Sequence, residues 1–141
     1  MKSYRKKLAV GLKNNLDAIF IREEVFQKEQ GFITEFDEID NTATHVVLYD
    51  GELPVATGRL YQDETGYHIG RVAVAKSHRN QHLGAVVLQT LEEEAHRLHC
   101  DRISLSAQCR VQAFYEKQGY HSLNDIHIDE FCPHVTMVKE L

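Results

Sequence analysis

The stretch from Thr44 to Ala75 constrains the fold most, because it contains three β-prone runs in immediate succession. The runs are separated by the dipeptide Asp50-Gly51 and by the polar residues from Asp63 to Gly66, and both are typical of hairpin turns. Connections this short join neighbouring antiparallel strands. The stretch therefore predicts three antiparallel strands in a row.

A first helix is predicted before these strands. Asn14 or Asn15 is a suitable N-cap and Gly31 a suitable stop. The apolar residues with helical spacing between them are Leu16, Ile19, Phe20 and Phe26. A weak alternation over residues 3–10 predicts a preceding strand, and the acidic residues 33–41 predict a surface loop with room for one helical turn.

The remainder of the chain predicts two helices and two strands. A helix starts near His82 or Leu83, a strand covers residues 102–108, a short helix covers 110–119, and an alternating run closes the chain. The order is β-α-β-β-β-α-β-α-β, with an extra strand near residue 120 left open. This order predicts an α/β fold with a mixed, mostly antiparallel sheet flanked by helices. With 141 residues, 43% of them hydrophobic, we expect one domain over residues 1–141.

Charge and cysteine content argue against several classes of protein. The formal net charge is −5, and the only basic cluster, Lys2 to Lys7, is short, which disfavours a nucleic-acid or anionic-membrane surface. No apolar run has the length of a bilayer span or a signal peptide. The three cysteines are widely spaced and odd in number, which favours free thiols. We therefore expect a cytoplasmic protein without nucleic-acid or membrane partners.

The nine histidines include one pair with the spacing of metal ligands. His96 and His99 lie on one helical face beside Cys100, and Cys132 and His134 follow later. The pair lacks the glutamate of the H-E-x-x-H zinc motif. We therefore predict no metal site and interpret these histidines as scattered surface and half-buried side chains.

The second helix begins without an N-cap oxygen or an acidic residue in its first turn. A helix start exposes unpaired N–H groups and a partial positive charge. The residues around it are polar or small: Arg79, Asn80, Gln81, His82 and Gly84. Two explanations are open: water solvates an ordinary helix start, or a phosphate binds there.

Five segments resemble the GNAT family of N-acetyltransferases. "RVAVAKSHRNQHLGAVVL", residues 71–88, resembles motif A, with Arg79 and Gly84 at the first and last positions of its Arg/Gln-x-x-Gly-x-Gly/Ala pattern and His82 in place of the first glycine. "AFYEKQGY", residues 113–120, resembles motif B. "IREEVFQKEQGF", followed by "DEID" and "CPHVTM", resembles a bacterial subgroup of small single-domain members. The resemblance covers nearly the whole chain, and the family's topology is the one derived above.

The resemblance implies an acetyl-CoA-dependent N-acetyltransferase that transfers the acetyl group directly to an amine, with acetyl-CoA as cosubstrate. It implies Tyr115 as the general acid that protonates the departing thiolate. The strand over residues 69–75 would pair with the pantetheine arm. The implied cofactor-binding residues are Val72, Ala73, Val74, Arg79, Asn80, Gln81, His82, Leu83, Gly84, Ala85 and Phe114. We expect residue 82 to tolerate histidine if its backbone is right-handed helical.

The acceptor side is less defined. Arg22, Arg59 and Arg71 are assigned to the substrate, where they would bind a carboxylate or phosphate. Alternatively, the acidic loop from Glu35 to Asp40 would attract a cationic acceptor, or the two sets of charges would form surface ion pairs with each other. The candidate general bases are Glu23, Glu24, Asp37, Glu38 and Asp40.

Two further questions stay open at this point. A non-catalytic acyl-CoA sensor with the same fold is the alternative function, and His82 is the feature that favours it. Homodimers are common in the family, but the sequence identifies no interface.

Overall fold

The computed structural model describes residues 3–33 and 35–141. The predicted row of three strands is present as three consecutive antiparallel strands. The extra strand near residue 120 is also present, and a further short strand follows it. The strands are β1 (Arg5–Val10), β2 (Thr44–Asp50), β3 (Leu53–Asp63), β4 (Gly66–Val74), β5 (Arg102–Gln108), β6 (His121–Ser122), β7 (His127–Asp129) and β8 (Cys132–Glu140).

The helices also lie where the sequence predicts them. They are α1 (Leu16–Arg22), which continues as a π-helical segment (Glu23–Glu29), α2 (Leu83–Arg97) and α3 (Gln112–Lys117). Gly31 and Gly119, the predicted stops, follow the first and last of these and have φ of 82° and 95°. Short 3₁₀ turns occur at Leu12–Asn14, Glu38–Asn41, Lys76–His78 and Cys109–Val111.

The strands form one sheet in the order β1-β2-β3-β4-β5-β8-β6, with β7 also paired to β8. Among the strands of the described residues, only β4 and β5 are parallel neighbours, so the predicted mixed, mostly antiparallel sheet is confirmed. These two strands are in register only at Tyr67 with Ile103 and at His68 with Ser104. Beyond His68 they separate, and the second half of β4 has no strand on that side among the described residues.

The two faces of the sheet carry separate hydrophobic cores. Val46 and Leu48 on β2 pack in the core that contains α2, whereas Val47 and Tyr49 pack in the core that contains α1. Close packing of α2 depends on Gly58 of β3, because a Cβ there would lie 2.6 Å from a methyl group of Val87. The helices are therefore fixed on opposite faces of the separated strands.

The apolar residues with helical spacing in and after α1 do not all lie on its buried face. Leu16 and Phe20 are 68% and 51% exposed. The buried positions are 18, 21, 22, 25 and 26, which have helical spacing but include the charged Arg22. Asn15 precedes the helix without a side-chain capping bond, and its Nδ2 instead donates to the carbonyls of Ala9 and Gly11. A search for apolar residues alone therefore includes the exposed Leu16 and Phe20 and leaves out the buried Arg22.

The charge of residues 33–41 predicted a surface loop, and this prediction was wrong for the residues that the structure describes, 33 and 35–41. Glu35 and Asp40 are 4% and 0% exposed. The predicted helical turn is present as the 3₁₀ turn Glu38–Asn41, which Asp37 starts with a reciprocal capping box to Asp40. Carboxylates can be buried in this way only when cations pair with them.

Candidate active site

A cavity of about 160 Å³ lies where β4 and β5 separate. Its walls come from both strands, from α3, from the π-helical segment and from the start of β8. Its lining includes Phe26, Gln30, Phe32, Glu35, Ile69, Gly70, Arg71, Val72, Leu105, Ser106, Gln108, Arg110, Val111, Tyr115, Asp129 and His134. Elements far apart in sequence therefore contribute to one site.

A β-bulge shapes one wall of this cavity. Thr57 and Arg59 of β3 are separated by one residue, whereas their partners Ala73 and Gly70 of β4 are separated by two. Arg71 lies in the bulge with φ of 51°. Bulges redirect side chains, and here the Arg71 Nε donates to the backbone carbonyl of Glu35 at 3.0 Å.

The free edge of β4 presents backbone groups beside the cavity. The Ala75 N–H donates to Val55 of β3 at 2.8 Å. Backbone direction alternates along a strand, so Val74 and Val72 direct their polar groups toward the free edge. Ala73 pairs with Thr57 of β3 instead. Two of the three predicted pantetheine residues therefore present backbone groups at this edge, and Ala73 does not.

The Arg79 side chain is held at the same edge. Its Nε donates to the Val74 carbonyl at 3.1 Å, and its Nη1 and Nη2 donate to the two carboxylate oxygens of Glu29 at 2.5 and 2.7 Å. These hydrogen bonds raise the pKa of Arg79 and lower the pKa of Glu29. The guanidinium therefore ties the π-helical segment to β4.

The start of α2 lacks both a side-chain cap and an acidic residue, as the sequence predicts. The Val86 N–H donates to the His82 carbonyl at 3.2 Å and makes the first backbone bond of the helix. The N–H groups of Leu83, Gly84 and Ala85 therefore lie ahead of the helical hydrogen-bond ladder. Gln81, in the preceding loop, accepts a hydrogen bond from the Tyr4 hydroxyl.

His82 does not meet the condition under which histidine was expected to be tolerated, because its backbone is not right-handed helical. Its φ and ψ are 61° and 21°, and Asn80 is also left-handed with φ of 65°. This conformation costs a non-glycine residue about 1–2 kcal/mol. The histidine thus adopts, at a cost, the conformation for which glycine is favoured.

Gly84 has a packing reason in this structure. A Cβ at Gly84 would lie 3.0 Å from Cζ of Phe114, so the start of α2 rests directly on that ring. The Phe114 ring in turn makes an edge contact with Tyr115, with centroids 5.0 Å apart. Phe114, predicted to bind the cofactor, therefore lies between the α2 start and Tyr115.

Tyr115 lines the cavity and is 9% exposed. Burial raises its pKa to about 12, so the phenol stays protonated at neutral pH. Among residues 3–33 and 35–141, no side chain or backbone group makes a hydrogen bond to its hydroxyl. Tyr115 is therefore an uncommitted proton donor.

Beside the cavity, three arginines and three carboxylates form a network that we call the charged cluster: Arg22, Glu35, Asp37, Asp40, Arg59 and Arg71. Asp40 is its centre, because its Oδ1 accepts from Arg22 at 2.7 Å and from Arg59 at 2.8 Å. His45 Nε2 lies 3.0 Å from the Asp40 carbonyl. The formal charges of the six side chains cancel.

The charged cluster shifts the pKa values of its carboxylates in opposite directions. Burial acts to raise the pKa of Asp40, but hydrogen bonds from Arg22 and the Asp37 N–H and the charge of Arg59 lower it to about 2. Burial also acts to raise the pKa of Asp37, but the hydrogen bond and the charge of Arg59 lower it. Burial raises the pKa of Glu35 by more than Arg22 and Arg71 lower it.

The cluster changes how the predicted acceptor residues are interpreted. Arg22 and Arg59 are 1% and 3% exposed and are bound to the acidic segment. The two sets of charges therefore pair with each other, but in the interior and not as the surface ion pairs raised as the third alternative. Arg71 alone of the three lines the cavity. None of the candidate bases Glu23, Glu24, Asp37, Glu38 and Asp40 lines it.

Sequence reasoning missed Glu35 and His134 as cavity residues. Glu35 gave no individual signal within its acidic run. His134 begins the alternating run at the end of the chain, and alternation with the buried Val135 and Met137 was the available sign that it faces the other way.

The remaining features bear on location and metals. The three cysteines are free, as predicted. Within the described part of the chain, no helix is long and apolar enough to cross a membrane. The same residues contain no group of three or more histidine, cysteine or acidic side chains able to hold a metal ion.

Comparison with known proteins identifies consistent relatives. The family model for the Acetyltransferase (GNAT) family matches residues 13–120. The uncharacterized N-acetyltransferase YjcF of Bacillus subtilis is 39% identical over 127 residues, which cover 88% of this chain and 91% of that protein.

Solved structures show the same similarity. The crystal structure of a candidate N-acetyltransferase from Lactobacillus plantarum has a TM-score of 0.89 and 28% identity, and covers 99% of both chains. An acyl-CoA N-acyltransferase from Pseudomonas aeruginosa has a TM-score of 0.85 and 26% identity, and covers 97% of this chain and 99% of that one.

Proposed function

This chain is an acetyltransferase of the GNAT family, and from that premise we propose that it transfers the acetyl group of acetyl-CoA directly to an amine held in the cavity beside β4. The observation that carries this proposal is the free edge of β4 next to an uncapped helix start. An extended ligand with amide groups fits the free strand edge, and a diphosphate fits the uncapped start of α2.

The residues present fit coenzyme A in both parts. Val72 and Val74 supply backbone groups for the two amides of pantetheine, and Ala73 supports them through its pairing with β3. The pyrophosphate would meet the N–H groups of Leu83, Gly84 and Ala85. Asn80, Gln81 and His82 are exposed around that position, and Arg79 contributes its backbone because Glu29 holds its side chain.

Tyr115 is the proposed general acid. Direct transfer requires that the nitrogen lone pair forms the C–N bond while the C–S bond breaks and the sulfur takes a proton. A phenol with a pKa of about 12 carries that proton at neutral pH, and Tyr115 lines the cavity in which the acceptor is proposed to bind. A small or peptide amine is the proposed acceptor, with Arg71 as a cationic side chain in the wall of the same cavity.

The alternative function, a non-catalytic acyl-CoA sensor, was favoured by His82. His82 has the left-handed backbone for which glycine is favoured, so the loop reaches that conformation without glycine, and this residue does not separate the two functions. Tyr115, buried in the cavity with an uncommitted hydroxyl, favours turnover. A single domain, a cytoplasmic location and a homodimer stay predictions.

Thiol release from acetyl-CoA across a panel of amines tests the proposal. Tyr115→Phe should lower kcat by about 10²–10⁴-fold, the usual effect of losing a general acid. Acetyl-CoA at about a hundred times its Kd should stabilise both wild type and Tyr115→Phe by about 2.7 kcal/mol against unfolding.

Tyr120→Phe is the matched control. Tyr120 also has a ring near Tyr115, with centroids 6.0 Å apart, but its hydroxyl donates to Glu92 at 2.7 Å. This variant should keep the wild-type kcat. Stability unchanged by acetyl-CoA would contradict the proposal for the enzyme and for the sensor alike, and stabilisation without thiol release would favour the sensor.

A further inference from the structure

His134 occupies a buried position on the wall of the cavity. It pairs across the antiparallel ladder with Gln108 of β5, so the two side chains lie side by side on one face of the sheet. It is 7% exposed and lines the cavity together with Tyr115 and Glu35. A titratable ring therefore lies in the proposed acceptor site, whereas none of the candidate bases predicted from the sequence lines it.

The hydrogen bonds of His134 determine its tautomer. Nδ1 lies 2.9 Å from the Cys132 carbonyl oxygen. A carbonyl only accepts, so Nδ1 must carry the hydrogen, and in the neutral ring Nε2 then carries a lone pair. No other residue of the described chain makes a hydrogen bond to this ring. Nε2 is also not one of the fully buried polar atoms without a partner, so it keeps access to the cavity. Nε2 is therefore available to a ligand as an acceptor.

The surroundings keep this ring in place. The Phe32 ring makes an edge contact with it at 6.5 Å, and the His127 ring stacks on it at 6.0 Å. His127 also has Nδ1 3.0 Å from a carbonyl, that of Asp125, but its Nε2 lies 3.0 Å from the Ser106 hydroxyl. The charged or titratable groups that face His134, across the cavity or in the stack, are Glu35, Arg71, Arg110, Tyr115, His127 and Asp129.

We propose, resting on the proposed function, that His134 is the general base that deprotonates the acceptor ammonium through Nε2. The ammonium gives its first proton to Nε2, which releases it to solvent. The neutral nitrogen attacks the thioester carbon, the C–N bond forms, and the C–S electron pair goes to sulfur. Sulfur takes the Tyr115 proton, and the second proton of the nitrogen restores Tyr115.

Glu35 is the competing base in the same cavity. Its Oε1 accepts from Arg22 Nε at 2.8 Å and lies 3.2 Å from Arg71 Nε. A carboxylate that holds two arginines serves the charged cluster, and protonating it would weaken both pairs. His134 makes no such ion pair among the described residues, so it can gain and lose a proton without disturbing the fold.

The His134→Asn variant tests this role. Its amide can still donate to the Cys132 carbonyl, but it lacks the Nε2 acceptor. With alkylamines, which are ammonium ions at neutral pH, kcat/KM should fall by about 10²–10⁴-fold. With amines that are already neutral, such as aniline or trifluoroethylamine, the loss should be under roughly tenfold, because no base is needed. For one alkylamine, the defect should shrink as the pH rises and more of the amine is neutral.

Three controls separate this role from a structural one. His127→Asn alters the stacked ring but should keep the dependence on amine charge. Glu35→Gln should lower the rate with all amines alike. Acetyl-CoA should stabilise His134→Asn as much as wild type, since the variant leaves the free edge of β4 and the start of α2 intact.

The outcomes distinguish this inference from the proposed function. A wild type that turns over no amine would overturn both. An equal loss with charged and neutral amines in His134→Asn, or a charge-dependent loss in Glu35→Gln alone, would overturn the role of His134 and leave the transferase intact. Nitrogen NMR of the resting protein should show the Nδ1–H tautomer, and an Nε2–H tautomer would overturn the inference whatever the turnover.

Discussion

Two polar regions flank β4, and they treat their hydrogen bonds in opposite ways. The cofactor edge, residues 72, 74 and 79–85, presents backbone groups on the free edge of β4 and at the start of α2. The charged cluster pairs every one of its six side chains with another. The first region is ready for a ligand. In the second, every side chain already has an ionic partner, and Arg59 Nε is the one buried donor of the cluster without an acceptor among the described residues.

Solvent access explains the difference. Backbone groups at an exposed edge or helix start can be satisfied by water until a ligand replaces it. An unpaired charge in the interior has no such substitute and costs several kcal/mol. Polar residues near an active site therefore split into those that bind and those that hold the binding groups in place.

The largest expected effect is on the charged cluster. Asp40→Asn leaves Arg22 and Arg59 without their shared carboxylate at a position that is 0% exposed. Losing one partner of a buried ion pair typically costs about 3–5 kcal/mol, and we expect a loss of that size in the free energy of unfolding measured in urea. Glu38→Gln, in the same turn but exposed, should stay within about 0.5 kcal/mol of wild type. Equal effects of the two variants would show that the cluster is not a structural unit.

Acid should weaken the same cluster by a smaller amount. The folded pKa of Asp40, about 2, is below its ordinary value of 3.8, so its contribution is fully present above 3.8 and is lost as the pH falls through 2. The stability difference between wild type and Asp40→Asn should therefore close over this window in urea titrations at a series of pH values. Glu35 has the opposite sign, because a raised folded pKa lowers stability as the pH rises above 4.5. A difference that is constant down to pH 2 would contradict the assignment for Asp40.

The smallest expected effect is on the cofactor edge. His82→Gly removes a left-handed penalty of about 1–2 kcal/mol, partly offset by the greater freedom of glycine in the unfolded chain. We expect a melting temperature no lower than that of wild type and acetyl-CoA binding at least as tight by calorimetry. Lys76→Gly, in the same connection without a positive φ, should instead lose about 0.5–1 kcal/mol. Weaker acetyl-CoA binding in His82→Gly would show that the imidazole itself contacts the cofactor.

The strands and helices were largely predictable from the sequence. Hairpin signals at Asp50-Gly51 and Asp63 to Gly66, and the stops at Gly31 and Gly119, depend on residues close together in the chain. The bare start of α2 was predictable for the same reason, since a missing N-cap is read from one helical turn. Motif A and motif B led from these elements to the family.

The buried charges were not predictable. Arg22 occupies a position in the buried stripe of α1 that a search for apolar residues passes over. Its burial depends on Glu35 and Asp40, which lie 13 and 18 residues away in sequence. The left-handed backbone of His82 was also unexpected, because local preference favours glycine there.

The sequence by itself determined the elements, their order and the family, because hydrophobic period, turn chemistry and motifs are local properties. Only the tertiary structure decided which polar groups are paired and which are free. Whether Arg22 binds substrate or Asp40, and whether His134 has a free nitrogen, depends on contacts between distant segments. Burial makes those contacts energetically decisive, and burial exists only after the sheet and its helices have packed.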